Sequence, residues 1–172
     1  MTRARLPALG YCYVALALPA LILAVDHPRA AAALFTGAVF AYLWFIASLR
    51  AVLVRFDPDG FFASVVVVGG ASFLVLQALA LTFGSTAFAA PSSACAATVI
   101  IGSSLAALRA RKIARWFGQA GVAGGVAVLI VGIVEGAADW TFAGEAVFAS
   151  SLGFMVWVLV TATYLVRREG SS

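Results

Sequence analysis

Few residues of this chain combine a reactive type with a useful spacing. Glu135 and Asp139 are four positions apart, which puts two carboxylates on one face of a helix. Gln77 and the dipeptide Asp26-His27 lie near the same ends of neighbouring apolar runs. Glu135, Asp139, Gln77, Asp26 and His27 could therefore converge on one polar cavity. Oxygen ligands with one imidazole suit a divalent cation, and a carboxylate held within a membrane can relay protons. The plainer reading places Glu135 at the headgroup level and the other acids in outer loops, where acidic residues bear little on orientation. No metal site is expected from this set.

Signatures of other chemistry are missing from the sequence. It has no H-E-x-x-H, no G-x-S-x-G and no G-x-x-x-x-G-K-[ST]. The single histidine cannot supply paired haem ligands, and no cofactor is implied. Cys12 and Cys95 are too few for a disulfide framework or a thiolate metal site. Their positions in different apolar runs put them roughly 10 Å apart in depth, beyond the reach of a disulfide, so both read as small packing residues. Ser103, Ser104, Ser150 and Ser151 read as hydroxyls that bond back to helix carbonyls or across to neighbours.

Such residues need elements to hold them, and composition fixes their kind. Of 172 residues, 64% are hydrophobic and 10% charged, with a mean hydropathy of +1.08. Soluble domains carry about 25% charged residues, so soluble and disordered classes are excluded and an integral membrane protein remains. The net charge of +4 does not point to nucleic acid, because the basic residues flank apolar runs instead of forming a patch.

A helical span needs about 20 apolar residues. Six runs qualify: residues 6–25, 30–49, 61–83, 88–108, 118–138 and 145–166, with Asp57-Pro58-Asp59-Gly60 as a turn. The first run exceeds the roughly 7–15 residues of a signal-peptide core, so it reads as a retained span, with a cleaved signal peptide behind Arg3 and Arg5 as the competing reading. Connections between runs are too short for a soluble domain, giving one integral membrane domain over residues 1–172. Alternation puts Arg3, Arg5, Arg50, Arg55, Arg109, Arg111, Lys112, Arg115, Arg167 and Arg168 on one side and Arg29 alone on the other. By the positive-inside rule both termini are cytoplasmic. The expected fold is an all-α polytopic bundle of six transmembrane helices. Tyr11, Tyr13, Tyr42, Trp44, Trp116 and Tyr164 suggest an aromatic belt on the inner side.

Small residues mark where helices would meet. Gly121, Gly125, Gly132 and Gly136 form one stripe, and Ala94, Thr98, Gly102 and Ala106 form another on the preceding run. Such stripes allow close backbone approach in lipid, which predicts packing between these two helices, with a homo-oligomer interface as the sharper alternative. The basic run Arg109, Arg111, Lys112 and Arg115 fixes orientation and could hold anionic lipid headgroups.

Phe45-Ile46-Ala47-Ser48-Leu49-Arg50 and Ile113-Ala114-Arg115-Trp116-Phe117-Gly118 resemble a family of small bacterial multi-pass membrane proteins that carries only a domain-of-unknown-function label and is common in actinobacteria. Its members show an F-L-x-x-L-R helix ending and a P-x-W-L-G-like helix start. Here Ala114-Arg115 stands where that family has proline. The resemblance extends from Ala30 to the C-terminus and implies a helical bundle of the bacterial inner membrane, without catalytic residues. Abundant arginine, alanine and glycine also suit a GC-rich bacterial genome.

Three function classes follow. The first is a non-enzymatic membrane component, an accessory subunit or assembly module, partnered by the bilayer and by a second copy or another membrane subunit. The second is a small proton- or cation-coupled carrier or channel built around Glu135. An intramembrane enzyme is the least supported.

Overall fold

The computed structural model describes residues 7–24, 26–57, 59–83, 86–110, 115–137 and 140–169, without the side chains of 28, 81–83, 86, 89, 135–137, 140–150, 168 and 169. It is all-helical: α1 (Leu9–Leu23), α2 (Pro28–Leu53), α3 (Phe61–Phe83), α4 (Ala89–Arg109), α5 (Arg115–Ala137) and α6 (Trp140–Glu169), with a short 3-10 turn at Thr86–Phe88. Among the described residues, four stretches are long and apolar enough to cross a membrane: Arg29–Leu53, Phe61–Ala80, Ala90–Arg109 and Arg115–Val134. Leu9–Leu23 and Ser151–Arg167 are apolar but shorter. Phe40, Val68, Val75, Ile130 and Ile133 are each more than half exposed, an exterior that suits lipid and not water.

Helix ends differ from the apolar runs in an instructive way. Only α3 coincides with its run. The second helix continues four residues past Leu49, since Arg50 near a helix C-terminus is favoured by the helix dipole and leaves the backbone ladder intact. Likewise α5 begins at Arg115 and α6 at Trp140. Apolarity marks what lipid tolerates, whereas the helix stops only where its backbone hydrogen bonds stop. Within α1, Pro19 removes one such bond.

The turn before α3 shows how a stop and a start are built together. Gly60 takes a φ of +66°, a conformation open to glycine at little steric cost. Asp57 is 2% exposed and its Oδ2 accepts the Phe62 N–H at 2.6 Å. The carboxylate thus satisfies one of the donors that a helix N-terminus leaves unpaired, which is worth about 0.5–2 kcal/mol.

The chain forms two compact units. One comprises Met1–Leu49 and Met155–Ser172, and the other Arg50–Phe154. The first unit is held by aromatic rings. Tyr13 of α1 lies 4.9 Å from Tyr42 of α2 between ring centroids. Tyr42 lies 6.3 Å from Phe45, and Phe45 meets Trp157 of α6 edge-on at 6.4 Å. Gly10 lets α1 approach: a Cβ there would stand 2.8 Å from that of Ala162 and 3.0 Å from the Phe45 ring. Tyr11 donates its hydroxyl to Thr163 Oγ1 at 2.8 Å.

These positions correct the aromatic belt. Tyr13 and Tyr42 are core residues, 2% and 0% exposed, because their rings fill the space where three helices converge. Trp44 and Trp116 do remain exposed. Cys12 is exposed and Cys95 half-buried, and neither is in a disulfide, so Cys12 does not serve as a packing residue within the unit.

Candidate functional site

In the second unit, α3, α4 and α5 form an antiparallel series. A buried ring pair, Phe73 with Phe154 at 4.5 Å between centroids, packs in this unit, and small residues line the seam between α4 and α5. The described glycines of the α5 stripe face α4. An added Cβ at Gly121 would strike Ser104 Oγ. One at Gly125 would lie 2.5 Å from Ile101 Cγ1, and one at Gly132 would lie 2.5 Å from Ser93 Cβ. Gly118, which the stripe did not include, is pressed as closely on Leu108. Gly136 belongs to α5, but its surroundings lie outside the described side chains.

The facing stripe on α4 is not the one that spacing predicts. Residues opposite α5 are Ser93, Ile100, Ile101, Ser104 and Leu108. Gly102 instead faces α3, where a Cβ would stand 3.3 Å from Val65 Cγ1. Thr98 also lies toward α3, its methyl 3.4 Å from a Cβ built on Gly69. Ala94 is half-buried, and Ala106 is fully buried. Because α4 sits between two neighbours, it needs small residues on two faces, and spacing alone cannot tell which face meets which neighbour. Of its span 61% is buried, against 22% for α5.

Gln77 is the one member of the proposed polar cavity whose described surroundings are polar. Its amide nitrogen donates to Ser92 Oγ of α4 and to Ser151 Oγ of α6, both at 3.5 Å. Gln77, Ser92, Ser93 and Ser151 are all buried. Three helices are thus tied at one depth by a single amide. Both distances are at the outer limit of a hydrogen bond, so the tie positions the helices more than it strengthens them. Ser103 and Ser104 bond back to the Val99 and Ile100 carbonyls at 2.8 and 2.6 Å, as mid-helix serines commonly do.

For the other cavity candidates no contact with Gln77 is described. Asp26 and His27 are exposed and belong to the first unit. Glu135 is on α5, but its side chain lies outside the described residues, as does the whole of Asp139. Among the described residues, no three His, Cys, Asp or Glu side chains are grouped to hold a metal ion. Arg109 and Arg115 are exposed, while Arg111 and Lys112 lie outside the described residues. The Arg109 guanidinium lies 4.7 Å from the centroid of the Phe62 ring, close enough for a cation–π contact.

Sequence reasoning missed Ser92, Phe62 and the buried role of Asp57. Ser92 was legible in principle, because a serine directly after Pro91 at the start of α4 lies level with the end of an antiparallel α3. Phe62 gave no signal among neighbouring apolar residues. Compared with family models, with curated proteins and with solved structures, the chain matches none. The site's reading therefore rests on its own geometry: a membrane-suited helical bundle whose described polar side chains mostly serve helix packing and helix ends.

Proposed function

We propose that the chain is a non-enzymatic component of a bacterial inner membrane, an accessory subunit or assembly module with six spans and both termini in the cytoplasm. The observation that carries this reading is the use made of Gln77. A glutamine in a span is a costly residue that commonly marks function, and here its amide ties α3, α4 and α6. The same economy holds on α4, where Ser104 bonds within its own helix and seats Gly121 of α5. Charge placement supports the orientation, with ten basic residues on one side of the alternation and Arg29 on the other. The resemblance of Phe45–Arg50 and Ile113–Gly118 to a bacterial multi-pass family points the same way.

Flux across proteoliposomes tests the reading. The purified chain is expected to add no proton or cation flux over empty vesicles, and Glu135→Gln to leave its size in detergent and that baseline unchanged. A protein-dependent flux abolished by Glu135→Gln would overturn the proposal in favour of a carrier. Reporter fusions in the Asp26–Arg29 loop and at the C-terminus test topology, and an extracytoplasmic C-terminus would overturn the six-span arrangement.

A further inference from the structure

One end of the second unit gathers cationic and amphipathic groups from three helices. The α3 start and the α4 end meet there, because Arg109 stands over Phe62. The start of α5 joins them, because Gly118 packs on Leu108 and on the Ser104 carbonyl. Arg109 and Arg115 are exposed, and Trp116 is 69% exposed. Arg55, also exposed, precedes the turn that leads into α3. Two carboxylates lie in that turn. Asp57 is buried against the α3 N-terminus and Asp59 is exposed, so positive charge dominates the accessible groups.

Arg109 differs from an ordinary arginine at a helix end. A free guanidinium on a long stem samples many rotamers, and ordering it opposes binding. The Phe62 ring, itself buried, gives this guanidinium a fixed platform. Its edge donors then remain available, and a planar fork of N–H groups matches two oxygens of a phosphate. Trp116 carries the kind of ring that settles at the headgroup level of a bilayer.

We propose that Arg109 on its Phe62 platform, with Arg115 and Trp116, forms a binding site for the phosphodiester headgroup of an anionic phospholipid. The proposal rests on the chain being embedded in a membrane. Failure of that reading would show separately, as absence of the full chain from the membrane fraction.

The test is native mass spectrometry of the full chain in detergent, titrated with phosphatidylglycerol or with phosphatidylcholine of the same acyl chains. The wild type is expected to retain phosphatidylglycerol preferentially. Arg109→Gln and Arg115→Gln are each expected to weaken that retention about fivefold, the effect of about 1 kcal/mol for a basic residue in direct contact with the bound headgroup. Phe62→Leu keeps every charge and is expected to cause a smaller loss, which separates the platform from net charge. Arg167→Gln, an exposed arginine on α6, is expected to change nothing. Equal retention of the two lipids would overturn the proposal, and so would an Arg167→Gln loss as large as that of Arg109→Gln. Displacement of phosphatidylglycerol by inorganic phosphate at constant ionic strength would also overturn it, as the mark of a free-anion site. Size-exclusion profiles matching the wild type qualify each variant for comparison.

Discussion

The first unit and the α4–α5 seam of the second solve one problem with opposite materials. In lipid no hydrophobic drive holds helices together, so association relies on packing and on a few polar ties. The first unit fills its core with large rings, Tyr13, Tyr42, Phe45 and Trp157, and uses Gly10 to admit a ring and a methyl group. The second removes side chains along the α4–α5 seam, where Gly118, Gly121, Gly125 and Gly132 each receive a neighbour. Ring packing concentrates contact energy in a few side chains. Glycine packing spreads it along a seam and depends on the absence of atoms. The first should therefore fail when atoms are removed, and the second when they are added.

The largest effect is expected from Phe45→Ala. Phe45 is 0% exposed and contacts both Tyr42 and Trp157. Deleting a buried phenyl ring forfeits its packing contacts and leaves a cavity, and without the transfer term that acts in water the cost falls at the lower end of about 3–5 kcal/mol. Thermal unfolding in detergent, followed by tryptophan fluorescence, would read the loss. A cost under about 1 kcal/mol would break the comparison, because truncations on that scale are tolerated only where a core can collapse.

Next in size is Gly132→Ala, paired with Gly124→Ala on the same helix. At Gly132 the new methyl would lie 2.5 Å from Ser93 Cβ, an atom fixed to its backbone, so the helices must separate. Overpacking of this kind costs about 1–3 kcal/mol. At Gly124 nothing lies within 4 Å, and replacing a helical glycine by alanine stabilises by up to about 1 kcal/mol. The same chemical change on one helix is therefore expected to have opposite signs. Equal thermal shifts for the two variants would show that the α4–α5 seam does not depend on those missing atoms.

This contrast also explains what could be read from the sequence. Helix identity and approximate position were legible, because long apolar runs between charges have few alternatives. The four glycines of the α5 stripe announced a seam, since a period of nearly four residues keeps them on one face. Its partner face was not legible. Spacing offered Ala94, Thr98, Gly102 and Ala106, yet Gly102 packs on Val65 and Val66 of α3 while larger residues, Ile100 and Ile101, meet α5 at Gly125. A glycine needs a protrusion opposite it, so matching one stripe of small residues to another was the wrong physical expectation. The ring cluster was hidden for a related reason. Tyrosine suits both a membrane interface and a core, and only the tertiary fold decides between them.

The smallest effect tests whether hydroxyls serve the two units differently. Most mid-helix hydroxyls have clear acceptors: Thr36 bonds to the Ala32 carbonyl, Thr98 to that of Ala94 and Thr163 to that of Leu159, at 2.7–2.8 Å. Thr161 is the exception. Its Oγ1 is buried without a hydrogen-bond partner among the described residues, and the residue is 5% exposed. Thr161→Val keeps the branched shape and removes the unsatisfied group, so the first unit is expected to gain about 1 kcal/mol. Ser104→Ala provides the opposite case in the second unit. There the hydroxyl donates to the Ile100 carbonyl at 2.6 Å and fills the space left by Gly121, so its removal opens a gap in the seam and is expected to lower stability. Thermal unfolding of both variants in one detergent reads the two signs. A loss on Thr161→Val would mean that the ring-packed core also relies on a polar tie, and the division between that core and the α4–α5 seam would no longer hold.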